Sequence, residues 1–150
     1  MTPSALDPEF LEDFAPQWRA AWNTHDGQAL AALCTADVEY YDPALAQTVR
    51  GHGAVVELVR QFTQAFSDIH FGEPEPPYAS LTAQKAIVPW HFTGTQDGEF
   101  TPMALAPTGA WVEADGVDHW WFRDGLVCRH RAVYDFAQVM RVLSEAAVSA

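Results

Sequence analysis

The sequence predicts an α+β fold in which helices pack on one face of a curved sheet. Two observations predict it: apolar residues recur at helical spacing up to Asp68, and alternating, aromatic-rich strand patterns follow. A third is the Asp124-Gly125 pair, which is typical of a tight turn between antiparallel strands. With 150 residues the chain is long enough for one core, so residues 1–150 are predicted to form a single domain.

Helical periodicity places the first helix at residues 8–23, with Pro16 predicted to displace its start because proline fits poorly inside a helix. Asp26 is a predicted N-cap for a short helix that runs to Leu33. A third helix is predicted over residues 53–66, and a closing helix over residues 136–147.

Strands are predicted from alternation and from β-branched and aromatic residues. They cover residues 38–42, 69–71, 85–95, 100–104, 110–122 and 126–134. Prolines 74, 76 and 77 keep the segment after the second strand extended and at a sheet edge. The last two strands form a hairpin through Asp124-Gly125, so most of the sheet is predicted to be antiparallel.

The charge balance excludes a nucleic-acid partner, because a net charge of −12 with eight Lys and Arg leaves no cationic cluster for a phosphate backbone. No apolar run reaches membrane-spanning length, and the first residues lack a signal-peptide pattern. We therefore expect a cytoplasmic protein with no membrane partner. Two cysteines, Cys34 and Cys128, are compatible with one disulfide but do not require it.

Strand alternation selects two ionisable candidates. Asp118 shares a face with Trp120 and Phe122, so its ionised form would be costly if that face lines a pocket. His130 and Tyr134 turn inward if the neighbouring arginines face water, and His130 then has a residue type suited to acid-base chemistry near neutral pH. The alternatives are a structural acid bonded to an Arg or to a helix end, and a structural histidine.

Tryptophans dominate the predicted core, and several of them would form a flat slot for a polycyclic ligand. The predicted slot and substrate-binding residues are Trp18, Trp22, Tyr41, Trp90, His91, Trp120 and Tyr134. No His, Cys, Asp and Glu set has metal-ligand spacing, and no Gly-rich phosphate loop occurs. We therefore predict no metal and no cofactor.

Several motifs in a fixed order resemble the nuclear-transport-factor-like superfamily, and its SnoaL-like polyketide cyclase branch in particular. The motifs are residues 17–23 (QWRAAWN) with Asp26, residues 36–43 (ADVEYYDP), residues 65–71 (AFSDIHF), residues 106–109 (APTG), Asp124-Gly125 and residues 134–136 (YDF). The resemblance implies a cone-shaped domain whose helices lie on the concave face of the curved sheet and enclose an apolar pocket. It also implies a homodimer.

The resemblance assigns candidate roles to residues of this chain. Ketosteroid isomerases of the superfamily carry a proton on the Asp of an Asp-Pro pair, which Asp42-Pro43 matches, and they hold an enolate with a protonated Asp followed by His, which Asp118-His119 matches. In these isomerases the two acids have different pKa values because their environments differ. Their catalytic Tyr is replaced here by Trp18. The alternative for Asp42 is a simple turn or cap residue.

Other branches match in part. SnoaL-type cyclases and the epoxide hydrolases of this fold place a catalytic Asp after a His-Arg pair, but His130-Arg131 is followed by Ala132. Scytalone-dehydratase-like enzymes use a middle-strand His, which His91 resembles. Taken together, the predicted catalytic residues are Asp42, Asp118 and His130, acting by proton transfer on a hydrophobic, carbonyl-bearing, polyketide-like molecule. The alternative is a domain of the same fold that only binds a hydrophobic ligand.

Overall fold

The computed structural model describes residues 6–149, which form four α-helices and one seven-stranded, curved sheet. Of the amino-terminal segment predicted to lack a signal peptide, positions 1–5 lie outside the described residues, as does position 150. The elements are α1 (Pro8–Asn23), α2 (Gly27–Ala32), β1 (Cys34–Tyr41), β2 (Val49–Arg50), α3 (His52–Ala65), β3 (His70–Gly72), β4 (Tyr78–Ser80), β5 (Lys85–Thr95), a 3-10 helix (Thr101–Met103), β6 (Trp111–Arg123), β7 (Leu126–Tyr134) and α4 (Phe136–Ser149).

The sheet is mostly antiparallel, as predicted, but one of its strand pairs is parallel, so the sheet is mixed. Its order is β2-β1-β7-β6-β5-β3, and β4 pairs with β5 beside β3. The β5-β6-β7 meander is antiparallel, whereas β1 and β7 run parallel, with Tyr40 opposite His130. A parallel pair needs a long connection, and here the whole chain between β1 and β7 provides it. This parallel pairing brings the end of β1 beside the last strand.

Helix α1 covers the concave face of the sheet with one apolar side. Its capping follows the sequence: the Asp7 side chain accepts a hydrogen bond from the Phe10 amide at 2.8 Å. Inward residues such as Phe14 and Trp18 pack on Trp120 of β6, with ring centroids 5.4 and 4.8 Å apart. Asp26 caps α2 as predicted, through the Ala29 amide at 2.9 Å. These contacts place the core between α1 and the meander.

Pro16 lies inside α1 and does not displace the start of the helix, so that prediction was wrong. Proline removes the amide that would bond to the carbonyl of Glu12, four residues earlier. Both residues lie on the exposed side of α1, where water can bond to the freed carbonyl group. The buried side of the helix continues without interruption.

Residues 100–104 do not form the predicted strand. Thr101–Met103 is a 3-10 helix, and Ala104 has a left-handed backbone with a φ of 50°. Only Phe100 and Leu105 make an isolated bridge. Pro102 supplies no amide for a strand ladder, and the buried Phe100 ring packs against Phe62 of α3 with centroids 5.1 Å apart. The apolar character of residues 100–104 therefore reflects packing of Phe100 on α3 and not strand pairing.

A β-bulge corrects the predicted alternation at the start of β7. Phe122 pairs with Val127 and Trp121 with Arg129, so Cys128 has no opposite residue. Val127 is buried in place of Cys128, and alternation then continues so that His130 and Ala132 face inward as predicted. Both cysteines are free, and burial raises the pKa of the Cys34 thiol to about 12. None of the helices in residues 6–149 has the length and apolar character to cross a membrane.

Candidate functional site

A cavity of about 100 Å³ lies between α1, α3 and the concave face of the sheet. Its wall is mostly aromatic and aliphatic, with rings from Phe62, Phe66, Phe71 and Phe92 among the lining side chains. A dry engineered cavity of roughly 150 Å³ binds benzene, so the space suits a group of about one ring. Partly exposed residues, including Arg19, Gly72 and Val139, also line the cavity and mark the side where it meets solvent.

Asp42 stands on the cavity wall immediately after β1. Its Oδ1 accepts two hydrogen bonds of 2.8 Å, one from the Tyr134 hydroxyl and one from the Ala44 amide. Burial raises the pKa of Asp42 above its ordinary value of 3.8, although both hydrogen bonds act in the opposite direction. Burial, and then the charge of Asp42, raise the pKa of Tyr134, so this hydroxyl keeps its proton and acts as a donor. Both bonds hold Oδ1, and among residues 6–149 no hydrogen bond is made to Oδ2.

Asp118 and His130 form a second polar group on the neighbouring strands β6 and β7. The indole Nε1 of Trp90 donates to Oδ1 of Asp118 at 3.0 Å, and His130 Nε2 lies 3.0 Å from the same oxygen. Asp118 is 8% exposed and His130 2% exposed. Oδ1 of Asp118 therefore accepts a hydrogen bond from Trp90 and lies close to His130, without hydrogen-bond geometry to the imidazole. In this arrangement Asp118 acts as an acceptor that orients the Trp90 indole beside His130.

Gly116 makes the Trp90 contact feasible, because it lies directly opposite Trp90 across the β5-β6 pair. A Cβ atom at position 116 would lie 2.4 Å from Cζ2 of the Trp90 ring, well inside van der Waals contact. The indole can lie flat on β6 only because this residue has no side chain. Trp90 then reaches Asp118, two residues further along β6.

His130 is enclosed by aromatic rings. The Tyr40 ring stacks on it with centroids 3.8 Å apart, and Trp18 lies nearly parallel at 5.7 Å. Neither ring nitrogen of His130 has a partner in hydrogen-bond geometry within residues 6–149, although Nε2 is close to Asp118. A buried imidazole without full partners is costly.

The structure brings most of the predicted site residues to this cavity. All three predicted catalytic residues and five of the predicted binding residues line it; these are Asp42, Asp118, His130, Trp18, Trp22, Trp90, Trp120 and Tyr134. The charges of His130 and Asp118 both act on the pKa of Asp42, the first lowering it and the second raising it. Asp42 and the Asp118–His130 pair thus belong to one electrostatic unit.

Two predicted binding residues do not line the cavity, and strand alternation explains both corrections. His91 lies between Trp90 and Phe92, which face inward, and its Nδ1 contacts Asp115 at 2.7 Å on the outer face of the sheet. Tyr41 also faces outward, with the guanidinium of Arg131 4.9 Å from its ring centroid. In each case the prediction was wrong by one residue, because the inward-facing side chain belongs to a neighbour on the same strand.

Sequence reasoning missed Tyr40 and Arg19. Tyr40 is 2% exposed and lines the cavity, and burial raises the pKa of its hydroxyl far above the usual value. Period-two alternation from Asp42 would have selected Tyr40 instead of Tyr41. Arg19 follows Trp18 on α1 and lies at the border of the buried side, where its position depends on how the helix packs.

Among residues 6–149, no group of three or more His, Cys, Asp or Glu side chains has the arrangement of a metal site. The two carboxylates of the cavity are instead paired with an indole, a phenol and a backbone amide. This donor set holds the two carboxylates in place.

Solved structures share this architecture. TsrD from Streptomyces laurentii is 20% identical, with a TM-score of 0.77 over 92% of this chain and 97% of that chain. AclR, a candidate hydroxylase from Streptomyces galilaeus, is 23% identical, with a TM-score of 0.75 over 93% and 83%. A candidate SnoaL-like polyketide cyclase from Jannaschia sp. CCS1 is 18% identical, with a TM-score of 0.77 over 91% and 93%. At these identities the likeness shows the fold alone, and it confirms the predicted fold class.

No curated protein matches the chain significantly. A family model for the SnoaL-like domain matches residues 15–130, which include α1 from its middle onward, the three residues of the Asp42 and Asp118–His130 groups, and most of the sheet. The match covers well over half of the chain and confirms the resemblance drawn from the sequence motifs. The protein is a member of the SnoaL-like domain family.

Proposed function

We propose that the protein is an enzyme that moves a proton at carbon on an apolar, carbonyl-bearing small molecule, giving isomerisation, cyclisation or dehydration. The observation that carries the proposal is the meeting of Asp42 and the Asp118–His130 pair on the wall of one apolar cavity. An apolar pocket with a few convergent polar groups and a perturbed carboxyl is typical of an active site. Family membership is consistent with the proposal but does not specify the reaction.

Each group has a defined task in the proposed step. Oδ2 of Asp42 removes a proton from the carbon next to the carbonyl, while Tyr134 and Ala44 hold Oδ1. Negative charge then develops on the carbonyl oxygen. His130, which lies 3.0 Å from Asp118, donates a hydrogen bond or a proton to that oxygen. In isomerisation the proton on Asp42 returns to a different carbon of the substrate. In dehydration it leaves with a hydroxyl group of the substrate, as water.

The size of the cavity restricts the part of the substrate that reacts inside. About 100 Å³ accepts one ring, so a polycyclic, polyketide-like substrate would place its reacting ring in the cavity and the remainder at the mouth. TerC, a structure with a TM-score of 0.71 and 16% identity, was co-crystallised with polyporic acid. That ligand supports an organic acid as a type of guest for this fold.

Proton exchange tests the proposal without knowledge of the product. We expect the protein to accelerate exchange of the α-protons of phenylacetone or acetophenone in D2O by about 10²-fold over buffer, followed by NMR. Acceleration for neither ketone, with binding visible as quenching of tryptophan fluorescence, would instead support the second candidate. In that function the aromatic wall binds a hydrophobic ligand without turnover, which the apolar lining also allows.

We also propose that the chain forms a homodimer through the outer face of the sheet. This face is acidic at one end of β6, where Glu113 and Asp115 face outward. It is basic at the other end, where Lys85 and Arg129 flank the ring of Trp121 at 4.3 and 4.5 Å and Arg131 covers Tyr41. Among residues 6–149 these three cations contact rings and form no ion pair with a carboxylate, so their charges are free to meet a partner.

A two-fold axis through the middle of this face would bring its opposite ends together. The centre is apolar, with Val117 opposite Val133, which is 45% exposed. Asp115 lies two residues before Val117 on β6. On the other side of Val117, Arg131 of β7 lies opposite His119, which is two residues after Val117. Rotation about the centre therefore sets acidic residues of one copy against basic residues of the other, as an isologous interface requires.

Charge reversal tests this assembly. We expect a dimer mass in sedimentation velocity for the parent protein, a monomer for Arg131→Glu, and recovery of the dimer when Asp115→Lys is added to Arg131→Glu. A monomeric parent protein at about 100 μM would contradict the proposal, because obligate isologous interfaces of this kind are stable at that concentration.

A further inference from the structure

The mouth of the cavity carries one strongly basic side chain. Among the described residues that line the cavity, Arg19 is the one Arg or Lys. It lies on α1 between Trp18 and Trp22, whose rings form part of the wall. A guanidinium at the border of an apolar cavity offers a fixed charge and several donors to a guest.

The partner of Arg19 is weakly bound. Nη1 of Arg19 lies 3.4 Å from Oε2 of Glu73, whereas a strong charge-assisted bond between these groups measures about 2.8 Å. The side chains are 27% and 36% exposed, so solvent screens the pair. By contrast, Arg60 and Glu57 on α3 form a bidentate pair with contacts of 2.8 and 2.6 Å. Arg19 therefore retains donors that a planar carboxylate could use.

The backbone around Arg19 is fixed, which makes the mouth a preformed site. Asn23, one helical turn after Arg19, makes two hydrogen bonds with the backbone of Phe71, at 3.0 Å to its carbonyl and 2.8 Å from its amide. This clamp joins α1 to β3 and brings Glu73 beside Arg19. Gly72 lies between Phe71 and Glu73, and a Cβ there would find only the carbonyl of His91 within 4 Å, so the opening is not filled.

An aromatic slot lies on the inner side of Arg19. Phe71 contacts Trp22 and Trp90, with ring centroids 5.4 and 5.5 Å away. A ring held in this slot would place an attached anionic group at the mouth. The cavity wall also carries Asp42 and Asp118, which repel an anion and so favour the orientation with the carboxylate at Arg19 and the carbonyl near the two acids.

We propose that Arg19 binds the carboxylate of a substrate that has a single-ring, apolar, carbonyl-bearing part, with Glu73 as the group that this carboxylate displaces. The inference names the substrate class and rests on the proposed function for its carbonyl part. A monocarboxylate fits better than a phosphate, because a single Arg beside Glu73, in a chain of net charge −12, cannot balance a dianion. The planar fork of Arg also matches two carboxylate oxygens.

Equilibrium binding of phenylacetate and of its neutral isostere phenylacetamide, measured by calorimetry, tests the inference. We expect the parent protein to bind phenylacetate roughly tenfold more tightly, and Arg19→Gln to lose this preference while its affinity for phenylacetamide is unchanged. Glu73→Gln is expected to bind phenylacetate severalfold more tightly than the parent, because it removes the competing carboxylate. Arg60→Gln, in the tighter pair outside the cavity, is the matched control and keeps the parental preference.

Equal loss of affinity for both probes in Arg19→Gln would overturn the inference, as would weaker binding of phenylacetate by Glu73→Gln or the absence of any preference in the parent protein. Thermal unfolding of each variant distinguishes a folding defect from a loss of binding. Because solvent screens the Arg19–Glu73 pair, we expect only a small change in Tm. Because binding is read without turnover, failure here leaves the exchange of α-protons unaffected. Conversely, absence of exchange leaves the carboxylate preference measurable.

Discussion

The Asp42→Asn variant is expected to exchange substrate α-protons about 10²- to 10⁴-fold more slowly than the parent protein while binding ligand with the same affinity. Asparagine has the shape of aspartate, and its Oδ1 can accept the same hydrogen bonds from Tyr134 and Ala44. It cannot take a proton at the second position. The measurement is the NMR exchange rate in D2O, compared with the Kd for the same ketone.

The pH dependence follows from the raised pKa of Asp42. The carboxylate must be ionised to act as a base, so the rate falls as pH decreases through a value above 3.8. The Tyr134 hydrogen bond lowers this pKa, and Tyr134→Phe is therefore expected to move the acid limb to higher pH. An acid limb that moves to lower pH in Tyr134→Phe would contradict the role of Tyr134.

The same raised pKa predicts the sign of a stability effect. An ionised Asp42 costs folding free energy, and this cost is absent below 3.8, where the unfolded chain is also protonated. This cost develops as pH rises and is complete above the pKa that Asp42 has in the folded protein. Asp42→Asn should thus have a higher Tm than the parent at pH 7, with the difference disappearing at about pH 3.

A surface variant provides the control for Asp42. Asp13 is exposed on α1, and Asp13→Asn should leave both the exchange rate and the pH profile unchanged. Parental exchange by Asp42→Asn, with parental binding, would eliminate Asp42 as the base and leave its Tyr134 bond as a structural feature.

Local sequence patterns predicted the elements of the fold because the physical causes are local there. The bounds predicted for residues 85–95 and 126–134 agree with β5 and β7, since turns and alternation mark both ends. The strand predicted at residues 100–104 failed because an apolar pattern does not reveal whether the residues pair in a ladder or pack singly on α3. The parallel β1-β7 pair was also missed, because strand order depends on long-range contacts.

Inward-facing residues of the site could be predicted where neighbouring residues on the strand showed, by their type, which face of the sheet is buried. Asp118 and His130 were placed correctly on the inner face, because alternation could be read from their aromatic and charged neighbours. Tyr41 was chosen instead of Tyr40 because the resemblance supplied a motif but not a direction for the side chains.

Gln96 carried no sequence signal, yet it is fully buried, and its side chain accepts bonds from the Thr108 amide and hydroxyl at 2.9 and 2.6 Å. Partners separated in this way by a loop leave no local pattern.

His130→Ala is expected to lower the exchange rate by about 10²- to 10³-fold, and added imidazole is expected to restore part of it. The imidazole of His130 is buried between Tyr40 and Asp118, so its removal leaves a ring-shaped space with an acceptor on one side. Exogenous imidazole can occupy that space and donate to the developing oxyanion. Asp118→Asn is expected to weaken the rescue, because the remaining amide no longer provides the negative charge that holds an imidazolium ion.

The rescue separates proton transfer from packing at His130. A purely structural histidine would leave a destabilised variant whose exchange rate responds equally to imidazole and to benzene, since both fill the space. Rescue by imidazole with a pH dependence that follows the added base, and none by benzene, requires a chemical role. His70→Ala, at an exposed position on β3, is the control and should retain the parental rate with or without imidazole. Parental exchange by His130→Ala, in a variant that unfolds at the parental temperature, would assign oxyanion stabilisation to another donor of the cavity.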